Sequence, residues 1–138
     1  ENERRHVELH KPLIPANVKG VPVRLERVIE NLLDNAVSFS PPDGTIDVTI
    51  TIDDDWVAVL VSDEGRGIAA DAREKVFRRF HSDRPDAEDF GNHSGLGLAI
   101  ARTIAEAHDG TLHARDRADA RDGACLILRL PYIMPADQ

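Results

Sequence analysis

The chain has 138 residues, 41% of them hydrophobic, which suits one ordinary folded domain, and residues 1–138 read as a single unit. Its formal net charge of −8 excludes the basic footprint of a nucleic-acid-binding surface, and no apolar run approaches the roughly 20 residues needed to span a bilayer. The single cysteine excludes an internal disulfide, and its apolar surroundings, Ala124 to Leu130, mark Cys125 as an inert core thiol.

The charged stretch Glu1 to His10 is neither a signal peptide nor a membrane anchor, and Val7 to Leu9 reads as a short strand. Residues from Pro12 to Pro22 form a connection. From Arg24 to Phe39 the apolar positions Leu25, Val28, Ile29, Leu32, Leu33, Ala36 and Val37 fall on one helical stripe. Pro41, Pro42 and Gly44 end it. Ile46, Val48, Ile50 and Ile52 alternate with Thr and Asp, as in a half-buried strand. Trp56 to Val61 is apolar on both faces and reads as a more central strand, joined to the previous one as a hairpin.

Asp71 to Phe77 predicts a short helix, and His81 to Ser94 lacks any apolar period and reads as a mobile loop. Gly95 to His108 predicts a second long helix, with Gly110 at the position of a left-handed cap. Thr111 to Arg115 and Ala124 to Leu130 are the closing strands. Helices and antiparallel strands mix without regular alternation, so the fold class is α+β, with helices layered on one mixed sheet. Aromatics make up 4% of the chain, so that core is built from Val, Ile, Leu and Ala.

Four places carry chemistry. Asn31 and Asn35 are four residues apart and share a helix face. Asn is a poor helix former, so the pair is either a solvated face or an amide pair directed at a polar ligand. Its carbonyl oxygens suit Mg2+. The strand Val59 to Ser62 runs into Asp63-Glu64-Gly65-Arg66-Gly67-Ile68. Such a segment read alone is a tight turn, or else a carboxylate that accepts from an exocyclic amine beside glycines that admit a flat ring. Ser94-Gly95-Leu96-Gly97-Leu98 opens the second helix. Free N–H groups and the positive dipole end favour an anion there, with Ser94 as N-cap, although Gly-x-Gly alone also marks close packing. Val76-Phe77-Arg78-Arg79-Phe80 is an amphipathic end or a loop hinge that brings an arginine to phosphate oxygens. No Walker-type phosphate loop is present.

In this order and spacing, over roughly residues 7 to 131, the four resemble the histidine-kinase branch of the superfamily that also holds gyrase, the Hsp90 chaperones and MutL. The resemblance implies a two-layer α/β sandwich of the Bergerat type, three helices on a mixed sheet of about five strands, with ATP between helices and lid. It implies that Asn35 coordinates the Mg2+ bridging the phosphates, assisted by Asn31. Asp63 then binds the adenine amino group, with Phe39, Gly65, Gly67 and Ile68 around the base. Arg79 approaches the phosphates, with Phe80 also at the nucleotide, and Ser94, Gly95, Leu96, Gly97 and Leu98 line the triphosphate. Ser38-Phe39-Ser40-Pro41 and Ser82-Asp83-Arg84-Pro85 look like the envelope- and acid-sensing kinases of alphaproteobacteria, the ChvG/ExoS group.

Some positions depart from the family pattern. Ser38 stands where many members carry a lysine, Asn92 and His93 replace lid glycines, and Asp109 replaces a glycine after the second helix. No H-E-[LIV]-[RK]-[ST]-P acceptor stretch is present; His6 and His10 do not match it. The expectation is therefore a catalytic domain of a longer sensor that is anchored in the bacterial inner membrane. This domain would lie in the cytoplasm without touching membrane or nucleic acid. Its partners would be the phosphoacceptor histidine hairpin of its own parent and a downstream response regulator. The alternatives are an ATPase of the gyrase or chaperone branch, or an anti-sigma-like serine kinase. Those ATPases place a glutamate at the slot of Asn31, and an amide cannot accept a proton from water at neutral pH. Glu30 points about 100° away around the helix.

Overall fold

The structure, a computed structural model, describes residues 6–78, 96–117 and 122–133. Five strands form one mixed sheet: β1 (His6–His10), β2 (Thr45–Asp53), β3 (Trp56–Ser62), β4 (Thr111–Asp116) and β5 (Ala124–Pro131). The strand order is β1-β2-β3-β5-β4. β1 runs parallel to β2, and every other pairing is antiparallel. The hairpin β2–β3 turns at Asp54, whose φ is 54°. β3 lies mid-sheet, and Val57, Ala58, Val59 and Val61 are buried, which explains why it is apolar on both faces.

The helical layer has three pieces: α1 (Pro22–Phe39), α2 (Gly97–Ala107), and two consecutive 3-10 turns at Ala70–Ala72 and Lys75–Phe77. The short helix predicted over 71–77 thus takes the tighter form. The turns are too short for an α-helical ladder, and the second is held by side chains. Phe77 is buried, the Arg102 guanidinium sits 4.5 Å from its ring centroid, and Arg102 donates to both Glu74 oxygens at 2.8 and 3.1 Å. That bond holds the Glu74 carboxyl below its ordinary range.

Pro22 occupies the first turn of α1, where a missing N–H costs nothing. Val28, Leu32 and Ala36 of α1 meet Ala101 and Ala105 of α2 over Ile46, Val48, Val59, Val61, Leu112, Leu126 and Leu128 of the sheet. Alternation puts these strand residues on the helix side, and Thr45, Asp47, Thr49, Ser62 and Arg115 on the other. Cys125 is buried and free, but it packs on that second face rather than under the helices.

α2 ends in a Schellman motif. Gly110 N–H donates to Ala105 O at 2.8 Å, and Asp109 N–H to Glu106 O at 3.1 Å. The left-handed residue is Asp109, with φ 65°, rather than the expected Gly110. Asp tolerates that conformation better than most residues because its short side chain bonds locally.

Candidate functional site

On α1, Asn31, Asn35 and Phe39 follow at intervals of four, and this stripe runs about 12 Å along the helix. Asn31 is half-buried and Asn35 is 8% exposed. A solvated face therefore does not describe Asn35, because a buried amide requires polar partners. Asn31 Nδ2 donates to Gly97 O at 3.0 Å, which ties the stripe to the first turn of α2. Asn31 thus has a packing bond to the helix start, where the sequence suggested only assistance to a metal.

The other end of the stripe meets the turn after β3. Phe39 is half-buried, with the Arg66 guanidinium 5.9 Å from its ring centroid. A Cβ on Gly65 would lie 2.5 Å from Phe39 O, so glycine is required for the turn to close against the helix. Gly67 takes φ 84°, and Ile68 is buried. Ser40, just past α1, accepts from Glu64 N–H at 3.4 Å, and Glu64 Oε1 accepts from Thr45 N–H at 3.0 Å.

Asp63 is 4% exposed. Its Oδ1 accepts from Gly65 N–H at 2.9 Å and from Ala124 N–H at 3.2 Å. Among the described residues Oδ2 takes no hydrogen bond, so one oxygen fixes the carboxyl and the other can accept from a ligand. Burial pushes the Asp63 carboxyl above its usual range, against the two backbone donors and the Arg117 charge, which pull it down.

Sequence reasoning missed Arg117. It is 6% exposed, donates to Asp63 O at 2.8 Å, and pairs with Asp47 Oδ2 at 3.0 Å. It lies in a charged run that reads as solvated surface, and its partner Asp47 is 70 positions away. Gly123 was also missed; there a Cβ would lie 2.0 Å from Asp63 O.

At the far end, α2 begins at Gly97, with Leu96 in the N-cap position and its carbonyl accepting from Ile100 N–H at 2.9 Å. The expected N-cap, Ser94, and Gly95 lie outside the described residues, as do Arg79, Phe80 and the loop His81 to Ser94. Leu98 is half-buried against the core. The structure therefore brings Asn31 to Gly97 and Phe39 to Gly65, with Asn35 one turn from each and Asp63 beside the second pair. A groove of about 510 Å3 lies on the other face of the sheet and contains none of these residues.

The sequence profile of the family described as histidine kinase-, DNA gyrase B-, and HSP90-like ATPase matches residues 20–133. The chain is similar to the sensor protein ChvG of Rhizobium meliloti, 48% identical over 118 residues, which cover 83% of this chain and 20% of that protein. It is similar to the sensor histidine kinase CusS of Escherichia coli K12, 37% identical over 129 residues, covering 94% of this chain and 26% of that one. It thus spans about a fifth to a quarter of the length of these relatives. Among solved structures, the mycobacterial sensor histidine kinase MprB aligns with a TM-score of 0.78 at 33% identity, over 93% of this chain and 82% of that one. Full-length ShkA in complex with AMPPNP aligns with a TM-score of 0.77 at 26% identity, over 96% of this chain and 26% of that one.

Proposed function

The chain belongs to the histidine kinase-, DNA gyrase B- and HSP90-like ATPase family, and we propose that within it this domain binds Mg-ATP and passes the γ-phosphoryl group to a histidine on a separate helical hairpin. One observation carries the reading. The Asn31–Asn35–Phe39 stripe joins a glycine-started helix at one end to a buried, half-satisfied carboxylate at the other. A nucleotide has the same polarity, an amine-bearing base at one end and anionic phosphates at the other. The AMPPNP complex of the structural relative ShkA supports a nucleotide there.

In this reading Asp63 Oδ2 accepts from the adenine amine, while Gly65 and Gly67 let the ring approach and Phe39 and Ile68 flank it. The N–H groups of the first turn of α2, at Gly97 and Leu98, have no partner among the described residues and receive phosphate oxygens. The donor set also fits Mg2+, which favours oxygen ligands and few protein contacts; the amide oxygen of Asn35 would hold it, and it supplies charge neutralisation at the phosphates. Asn31 fixes the start of α2 against α1, so that the phosphate donors and Asn35 keep their separation. The P–O bond to the β-phosphate breaks as an N–P bond forms to the histidine, whose ring nitrogen brings its own lone pair. That nucleophile needs no carboxylate base, and none stands at Asn31, where the ATPase branch carries one. Hydrolysis and serine transfer would both need a base, and this favours the histidine kinase reading over the gyrase-like and serine-kinase readings.

The acceptor hairpin, a response regulator and a membrane-anchored parent with this domain in the cytoplasm are part of the same proposal, drawn from relatives that are sensor proteins. Among the described residues no helix is long and apolar enough to cross a membrane. The test is radiolabelled ATP with the chain alone, then with the parent's hairpin added in trans. Label should appear on the hairpin and not on the chain. Label on the chain, or rapid phosphate release without the hairpin, would overturn the reading.

A further inference from the structure

We propose that the helix-free face of the sheet binds a divalent first-row transition cation, of which Zn2+ is the type ion, through Glu8, His10 and Asp47. Glu8 and Asp47 are direct partners across the parallel pair β1–β2. Like charges placed opposite one another on neighbouring strands repel, and here Arg117 already pairs with Asp47 from one side. His10 follows Glu8 by two residues and shares its face. Its Nε2 lies 3.7 Å from Asp47 Oδ1 and 3.9 Å from Glu8 Oε1. One ligand atom from each of the three residues falls within 4.8 Å of the others.

The second oxygen of each carboxylate is already engaged. Glu8 Oε2 lies 3.2 Å from His6 Nε2, and Asp47 Oδ2 accepts from Arg117 at 3.0 Å. Outer partners of this kind orient the ligands of metal sites. Metal bonds of about 2.0–2.2 Å place tetrahedral ligand atoms about 3.4 Å apart. The cluster reaches that spacing by small rotations, and the side chains of Glu8 and His10 are free to make them, being 48% and 55% exposed. One imidazole with two carboxylates suits Zn2+, Co2+ or Mn2+; Mg2+ and Ca2+ prefer all-oxygen shells of six or more ligands. Three protein ligands leave a fourth position open to the groove that Thr45 and Thr49 also line. The site stands on the opposite side of the sheet from α1 and α2, so it is separate from the proposed nucleotide site.

The experiment is calorimetric titration of the chain with Zn2+ alone, without nucleotide, at neutral pH. The expected result is one ion per chain with a dissociation constant in the micromolar range. His10→Ala and Glu8→Gln each weaken it at least tenfold, and His6→Gln does so by a smaller factor. His113→Ala, whose ring faces Glu74 at 3.9 Å, leaves it unchanged. His10 is exposed on an edge strand, so its replacement does not threaten folding; Asp47→Asn, which touches the buried Arg117, is read only alongside a melting curve. The absence of saturation at millimolar Zn2+ overturns the proposal. So does binding that His10→Ala and Glu8→Gln do not change, or that His113→Ala abolishes.

Discussion

The two ends of α1 are built differently. At the end near Asp63 the parts meet through backbone. Gly65 and Gly123 admit no side chain, and Asp63 is clamped by two N–H donors while Arg117 holds its carbonyl. At the end near Gly97 one side-chain bond, from Asn31, makes the link, and a Cβ on Gly97 would meet Asn31 only at an ordinary 3.8 Å. The glycines therefore have separate jobs. Gly65 is needed for the fold to close, whereas Gly97 leaves its helix start bare at no packing requirement. A flat base needs a rigid slot of one shape, while phosphates need exposed donors.

The largest effect falls on Gly65→Ala. Its Cβ would meet backbone that cannot move aside, and the variant should lose about 3 kcal/mol or more, read as a collapse of the thermal midpoint. A melting curve like that of the parent would show that the slot is not closed by backbone.

Asp63→Asn separates binding from stability. The Asn oxygen still accepts both backbone N–H bonds, but the charged acceptor is gone, and adenine-nucleotide affinity should drop about 10- to 100-fold, since such a bond is worth roughly 1.5–3 kcal/mol. Stability at neutral pH should hold or rise, because the variant no longer carries a carboxylate raised by burial. The sign follows from proton linkage. Between the ordinary carboxyl value of 3.8 and the raised folded value, the native state binds the extra proton. The wild type therefore loses stability relative to the variant as pH climbs through that window. Urea midpoints of the two proteins across that range check it. A variant that is less stable at pH 7 would mean that the carboxylate is there for the fold.

The smallest structural effect belongs to Gly97→Ala. It should leave stability unchanged or raise it by up to about 1 kcal/mol through helix propensity, yet weaken ATP several-fold by crowding the first-turn donors. Unchanged ATP affinity would sever Gly97 from the phosphates.

Periodicity made α1, α2 and the β2–β3 hairpin legible, because burial on one face writes itself into spacing. The turn after β3 was legible for a different reason: Asp and glycines at a strand end carry chemical meaning in themselves. Asn35 was legible as a residue but not as a buried one, since neither Leu32 nor Ala36 beside it says how far the apolar stripe extends. Its burial also means that Asn35→Ala touches packing as well as any ligand. Arg117 could not be read, because its value comes from Asp47 and Asp63 across the fold and nothing local distinguishes it from Arg115. The left-handed residue after α2 was assigned to Gly110 because glycine is the usual occupant. Asp109 takes the conformation instead, with two backbone bonds closing the motif around it.

The central claim is that one stripe of α1 spans a site whose ends recognise a base and a triphosphate. Calorimetric titration of the unmodified chain with ATP and Mg2+, repeated with GTP, tests it most directly. The account predicts saturable ATP binding in the micromolar-to-millimolar range, about −4 to −8 kcal/mol, and GTP at least tenfold weaker because its base presents a carbonyl where Asp63 expects an amine. No saturation at millimolar ATP, or equal affinity for the two nucleotides, would contradict it.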